Sequence, residues 1–235
     1  MELINDSLRG FVQVNTGVTE YTGSSLPDTV RLTRLEVGKA EAVVLMEKVP
    51  SAQSGLKLAY RDYGARSQQE YTYRVEYITN RVATQTLQGT IKSEFNGILL
   101  TDGKQTYVTL GGASYSPQRN FTSTAVQPYY SQFPHMVING SQNYDSGTVE
   151  GYFNELRPDC RLDDFNAYDV QALLAFLTNR KAKVLKTYDG LCMAVFITSD
   201  SPISYAKGDI ATLKQVRFAY KQIGGDAKVR EMLYG

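Results

Sequence analysis

The chain has 235 residues, 42% of them hydrophobic and 21% charged, and its 25 basic and 24 acidic side chains leave a formal charge of +1. That length holds one large β domain or two smaller ones, and the composition argues against a disordered chain. The charges are spread along the chain rather than gathered in blocks, which argues against nucleic acid as the main partner, because phosphate neutralisation needs a basic stripe.

No apolar run approaches the roughly 20 residues of a membrane-spanning helix, so no membrane partner is expected. The opening MELINDSLRG lacks the positive start and apolar stretch of a secretory signal, and Sec-dependent secretion is not expected. Cys160 and Cys192 are therefore expected as free thiols rather than as a disulfide. Together with the single histidine, His135, they lack the short ligand spacings of a zinc site, and neither a metal nor a cofactor is expected. Seventeen tyrosines and nine phenylalanines with no tryptophan suit a sheet protein. The rings either line half-buried strands or form contact surfaces.

In chain order, residues 1–28 show little periodicity and read as an irregular N-terminal arm ending near Pro27. From Thr29 the segments TVRLTRLEV, EAVVLM and LKLAY read as strands separated by turn-rich stretches. In the next strand Tyr71, Tyr73, Val75 and Tyr77 alternate with Thr72, Arg74 and Glu76, which predicts an aromatic inner face and a polar outer one. A further polar, β-branched strand runs over about 83–91. Short strands at this spacing predict a β-sandwich over 29–92. The alternating aromatics of EYTYRVEYITN resemble the penultimate strand of a fibronectin type III domain, although the tryptophan of that family is absent.

A second β-rich domain is expected over 93–235, with one main helix near 166–180. Asp102-Gly103 and Asp189-Gly190 each sit between apolar arms and predict type I′ hairpin turns. Between them, Pro117, Pro128 and Pro134 predict loops with short edge pieces until GTVEGYF resumes a strand. In DDFNAYDVQALLAFLTNRK, Phe165, Asp169, Leu173 and Leu177 lie on one ridge beside Val170, Leu174 and Phe176. Asn166 is the expected cap, and Asp169 at the start with Arg180 and Lys181 at the end suit the helix dipole. LKQVRFAYKQIGG adds a strand with Val216, Phe218 and Tyr220 inward, and DAKVREMLYG a short helix capped by Asp226.

No catalytic constellation emerges, and no enzymatic activity is expected. His135 follows a proline in a loop-like stretch, and no Ser elbow precedes a helix. The acid pairs Glu150 with Glu155 and Asp163 with Asp164 are the candidates for a glycosidase, but strand alternation and a helix N-terminus account for them equally well. The glycine doublets 111–112 and 224–225 lack phosphate-loop spacing.

Three stretches, SEFNGILLTDGKQTY, YYSQFPHMVINGSQNYDSGTVEGYF and LLAFLTNRKAKVLKTYDGLCMAVFIT, together resemble a family of tail and baseplate proteins, of the distal-tail kind, from tailed phages of Gram-positive hosts. The resemblance implies a structural subunit of the virion tail or baseplate, assembled in the bacterial host cytoplasm as a homo-oligomer or ring together with other tail proteins. The loop carrying Tyr129, Tyr130, Phe133 and Met136 is the candidate subunit contact, since such residues are enriched at interface cores. The competing reading folds these side chains back onto the sheet. Two other functions stay open: a module that recognises a host-surface glycan through stacked tyrosines, and a tail-associated cell-wall hydrolase.

Overall fold

A computed structural model of the protein describes residues 1–109, 113–137, 141–157, 169–199, 202–207 and 214–235. The described residues are mainly β, in antiparallel sheets, with two helices.

The N-terminal part builds two sheets from β1 (Glu2–Asp6), β2 (Phe11–Thr16), β3 (Thr29–Glu36), β4 (Ala42–Lys48), β5 (Leu58–Asp62), β6 (Gln69–Thr79) and β7 (Val82–Ser93). One sheet has the order β1-β2-β5 and the other β4-β3-β6-β7. Val12, Val14 and Leu58 from the first sheet meet Val30, Leu32, Tyr71, Tyr73, Val75 and Tyr77 from the second in one buried core. The inward alternation of β6 is as the sequence predicts, and burying each of those side chains contributes about 1.5–3 kcal/mol.

Residues 1–28 depart from expectation, because they contain β1 and β2 rather than only an irregular arm. The inward set Val12, Val14 and Thr16 alternates with Gln13 and Asn15, a period-two signal too short and too polar to stand out. Asp6 Oδ1 accepts from the amides of Leu8 and Arg9 at 3.1 and 2.8 Å, closing the β1–β2 turn.

The C-terminal part contributes β8 (Ile98–Thr101), β9 (Thr106–Thr109), β10 (Ser114–Phe121), β11 (Thr124–Val126), β12 (His135–Val137), β13 (Asn143–Gly151), β14 (Phe153–Glu155), α1 (Val170–Thr178), β15 (Lys183–Thr187), β16 (Cys192–Thr198), β17 (Ser204–Lys207), β18 (Lys214–Gly224) and α2 (Asp226–Tyr234). Its main sheet follows the order β10-β13-β18-β16-β15-β8-β9-β14, with β17 added beside β18. Only Tyr152 separates β13 from β14, yet β13 pairs with β18 and β14 with β9. The path from β13 through β18, β16, β15, β8 and β9 therefore returns at β14 to the stretch it started from, which closes it as a barrel, with β10 paired to β13 outside the closed path. Gly151 stands at this corner, where a Cβ would lie 3.0 Å from the Thr109 methyl.

Inside, Ile98, Leu100, Tyr107, Val149, Phe153, Leu185, Val195, Val216, Phe218 and Tyr220 form the core, and α1 adds Leu173, Phe176 and Leu177. The Asn166 and Phe165 positions lie outside the described residues. The helix starts at Val170 with Asp169 as its cap, whose Oδ1 accepts from Gln171 N at 2.9 Å and Ala172 N at 3.3 Å. In α2, Gly225 rather than Asp226 holds the cap position, and Asp226 is the first helical residue, where its charge faces the positive end of the dipole.

Two turn expectations are corrected. In the 102–105 loop only Gly103 has positive φ (+86°), and Asp102 acts through its carboxylate, accepting from Lys104 N and Gln105 N. Between β15 and β16 a three-residue loop places Gly190 alone at φ +93°, the pattern of a type I turn followed by a left-handed residue. A two-residue loop with positive φ at both positions occurs instead at Asn80-Arg81 (φ 53° and 66°), joining β6 to β7. The stretch around Pro117 is also more regular than expected. It forms the eight-residue β10, which tolerates a proline because it is an edge strand.

Candidate functional site

The β10–β13 pair extends beyond the barrel into a separate two-stranded ribbon of β11 and β12, with Thr124 opposite Val137, Ala125 opposite Met136 and Val126 opposite His135. At its base Arg119 Nη2 meets Asp145 Oδ2 at 2.9 Å, and Asn120 Nδ2 meets Ser146 Oγ at 2.8 Å. At its tip the turn 127–134 is closed by Ser131 N on Pro128 O at 3.2 Å and Ser131 Oγ on Phe133 O at 2.7 Å.

This ribbon brings together all four expected contact residues. Tyr129 and Tyr130 are 93% and 96% exposed, Phe133 76% and Met136 63%. They do not fold back onto the sheet. Tyr129 and Tyr130 instead pack edge to face with ring centroids 5.1 Å apart. A groove lined by Phe121, Thr122, Ser123, Met136 and Gln142 runs beside them. Surface this apolar needs a reason in a water-exposed ribbon.

A further signal lies in the charge pattern. Residues 120–144 contain no Asp, Glu, Lys or Arg. Arg119, just before this gap, is neutralised by Asp145, just after it. Aromatic and methionine enrichment together with charge depletion is the composition of an interface core. This gap is visible in the sequence, whereas the exposure of the rings is not.

Of the four acid candidates, Glu150 and Glu155 are among the described residues. Glu150 sits in β13 opposite Ser114 and Arg217, and Glu155 in β14 lies 3.9 Å from Arg157. Asp163 and Asp164 lie outside the described residues. His135 is an exposed residue of β12. Cys192 is a buried free thiol, pushed up in pKa by that burial, and Cys160 lies outside the described residues.

Sequence reasoning misses a buried polar network at the contact of the two parts. Asp62 is fully buried and accepts from Arg34 Nη1 at 2.7 Å, Tyr73 OH at 2.7 Å, Tyr234 OH at 2.6 Å and Gly64 N at 3.0 Å. Burial alone would raise the Asp62 carboxyl. The Arg34 guanidinium and the donated hydrogen bonds outweigh it and hold the group below the usual carboxylate range. Nearby, Lys186 is also fully buried, with Nζ 2.9 Å from Gly10 O and 3.4 Å from Tyr63 O, and burial lowers its pKa to about 8. Two lysines in the wholly buried strand KVLKT are the one sequence hint of such polar burial.

No family model matches the chain, and no curated protein matches it. Among solved structures it is similar, at 14% identity and a TM-score of 0.31, to a chain described as the tail of an empty GTA particle computed with helical refinement in C6 symmetry, over 55% of this chain and 92% of that one.

Proposed function

We propose that this chain is a non-enzymatic structural subunit of a bacteriophage tail or baseplate, which assembles with copies of itself and with other tail proteins. The observation that carries the assembly role is the charge-free sequence 120–144, whose β11–β12 ribbon carries the exposed rings. The tail assignment is supported by the likeness of the three stretches between Ser93 and Thr198 to tail and baseplate proteins. The division into β1-β2-β5 and β4-β3-β6-β7, with β6 between β3 and β7, supports a fibronectin type III-like reading of the N-terminal part, now beginning at β1. We accordingly divide the chain into a sandwich unit over 2–93 and a barrel unit from 98 onward.

Two measurements test this. Antibody labelling of the purified particle, imaged by negative stain, is expected at the tail, and labelling elsewhere would remove the tail assignment. Replacing Tyr129, Tyr130 and Phe133 by serine is expected to leave circular dichroism unchanged, because the rings are exposed, and to abolish co-assembly in analytical ultracentrifugation. Unimpaired assembly of that variant would exclude the ribbon as the contact.

The exposed Tyr129–Tyr130 pair favours one second reading, stacking on a host-surface sugar. In the sandwich, by contrast, Tyr71, Tyr73 and Tyr77 point into the core. Binding of cell-wall glycans that vanishes in the same serine variant would favour that reading over subunit contact.

A further inference from the structure

The two β units meet through contacts of different kinds. Near the short connection between β7 and β8, Phe95 packs with Phe11, Leu99, Val108 and Leu156, and Tyr63 packs beside them. The connection is also stitched to the sandwich, with Asn96 N on Ser7 O at 2.9 Å and Phe95 N on Ser67 Oγ at 2.9 Å. This contact lies at the crossing point of the chain itself, and it would move little if one unit rotated against the other.

Helix α2 makes the second contact, and its two sides differ in chemistry. Toward the barrel it is apolar: Val229, Met232 and Leu233 cover Val184, Cys192 and Ala194. Toward the sandwich it presents mostly polar bonds. Tyr234 OH donates to Asp62 and receives from Arg34 Nη1 at 3.2 Å, Asp226 pairs with Arg66, and Arg230 Nη1 lies 3.0 Å from Glu41. Arg34 also sits 5.7 Å from the Tyr234 ring. The flank of Gly64 is kept bare for this approach, since a Cβ there would fall on the Tyr234 hydroxyl. Apolar burial is the stronger and less salt-sensitive bond, so α2 belongs energetically to the barrel.

We propose that α2 is a releasable latch, carried by the barrel, that fixes the orientation of the sandwich by inserting Tyr234 between Arg34 and Asp62. With the latch open, the sandwich swings about the connection 94–97. Relative motion is the default for units joined by a chain connection; here Lys186 Nζ, bonded to Gly10 O and Tyr63 O close to the connection, is part of the pivot, while the phenol of Tyr234 and two exposed ion pairs hold the far side. The inference is independent of the tail assignment and of the β11–β12 ribbon.

Double electron–electron resonance on the full chain tests it, with Cys160→Ser as background and spin labels at Val82→Cys on the sandwich and Lys181→Cys on the barrel, both exposed positions. The unaltered latch is expected to give one narrow distance distribution. Tyr234→Phe keeps the ring but removes a hydrogen bond to a charged group, and is expected to raise a second, broader population about tenfold. Glu41→Gln, at an exposed site that does not threaten folding, is expected to do so more weakly, as is salt at about 1 M. A second population in either variant supports the latch. The same single distribution in both variants and in high salt overturns it.

Discussion

Removing the Asp62 carboxylate is the sharpest perturbation of this fold. In Asp62→Ala, Arg34, itself only 8% exposed, keeps its charge in a buried site without a counter-ion. The hydroxyls of Tyr73 and Tyr234 and the Gly64 amide lose their acceptor at the same time. Breaking a buried ion pair from one side costs about 3–5 kcal/mol, and each donor stranded without an acceptor adds up to about 1–3, although the terms overlap. A total near 5 kcal/mol is expected, a large part of the roughly 5–15 kcal/mol that holds a domain folded. Urea unfolding followed by circular dichroism and tyrosine fluorescence reads the loss. The double variant Arg34→Met with Asp62→Leu removes both charges, and is expected to recover most of it. A loss under about 1 kcal/mol for Asp62→Ala, or an equal loss in the double variant, would refute the argument that an unpaired buried charge sets the cost.

Other outcomes follow from the same geometry. Because the folded-state Asp62 carboxyl is held below its ordinary value of 3.8, its stabilisation is complete above that pH and drains away below it, so Asp62→Asn should flatten the acid limb of a stability–pH curve. Lys186 titrates at about 8 in the folded chain against 10.5 in the open one, so the unfolded state holds the extra proton and stability should rise by about 2 kcal/mol between roughly pH 8 and 10. Lys186→Met should remove that rise in chemical denaturation across the interval. Arg81→Gly relieves a left-handed arginine in the β6–β7 turn and should stabilise by about 0.5–1 kcal/mol, measured as a higher urea midpoint at constant m-value. Gly64→Ala should displace Tyr234 and expose the α2 amides to faster hydrogen exchange.

The parts of the fold legible in the sequence are those governed by neighbours two residues apart. In β6 the alternation of Tyr71, Tyr73, Val75 and Tyr77 with polar residues predicts both the strand and the buried face. The inward set of β18 follows from the same rule, whereas the β15–β16 hairpin, buried along all of β15 and the first half of β16, is legible from its apolar runs and the Asp-Gly between them. Asp-Gly marks two real hairpins, but the turn type depends on loop length, which the dipeptide does not specify. The Asp62 network is illegible for a simple reason: its side-chain partners Tyr73, Arg34 and Tyr234 stand 11, 28 and 172 residues away, with no local pattern linking them. For the ribbon, residue type and the missing charges can be read directly, whereas its projection away from the barrel depends on the long β10–β13 pairing.

The double membership of residues 143–155 also bears on how the molecule is made. One border of that stretch joins β9, about 45 residues earlier in the chain, while the other waits for β18, some 70 residues later. During synthesis the nascent barrel therefore carries an unsatisfied hydrogen-bonding rim until residues 214–224 have left the ribosome. The sandwich, whose strands are all complete by residue 93, can collapse much sooner. Crowding of unfinished copies on one messenger would strike the later-maturing half first, through strand exchange between neighbours at that rim.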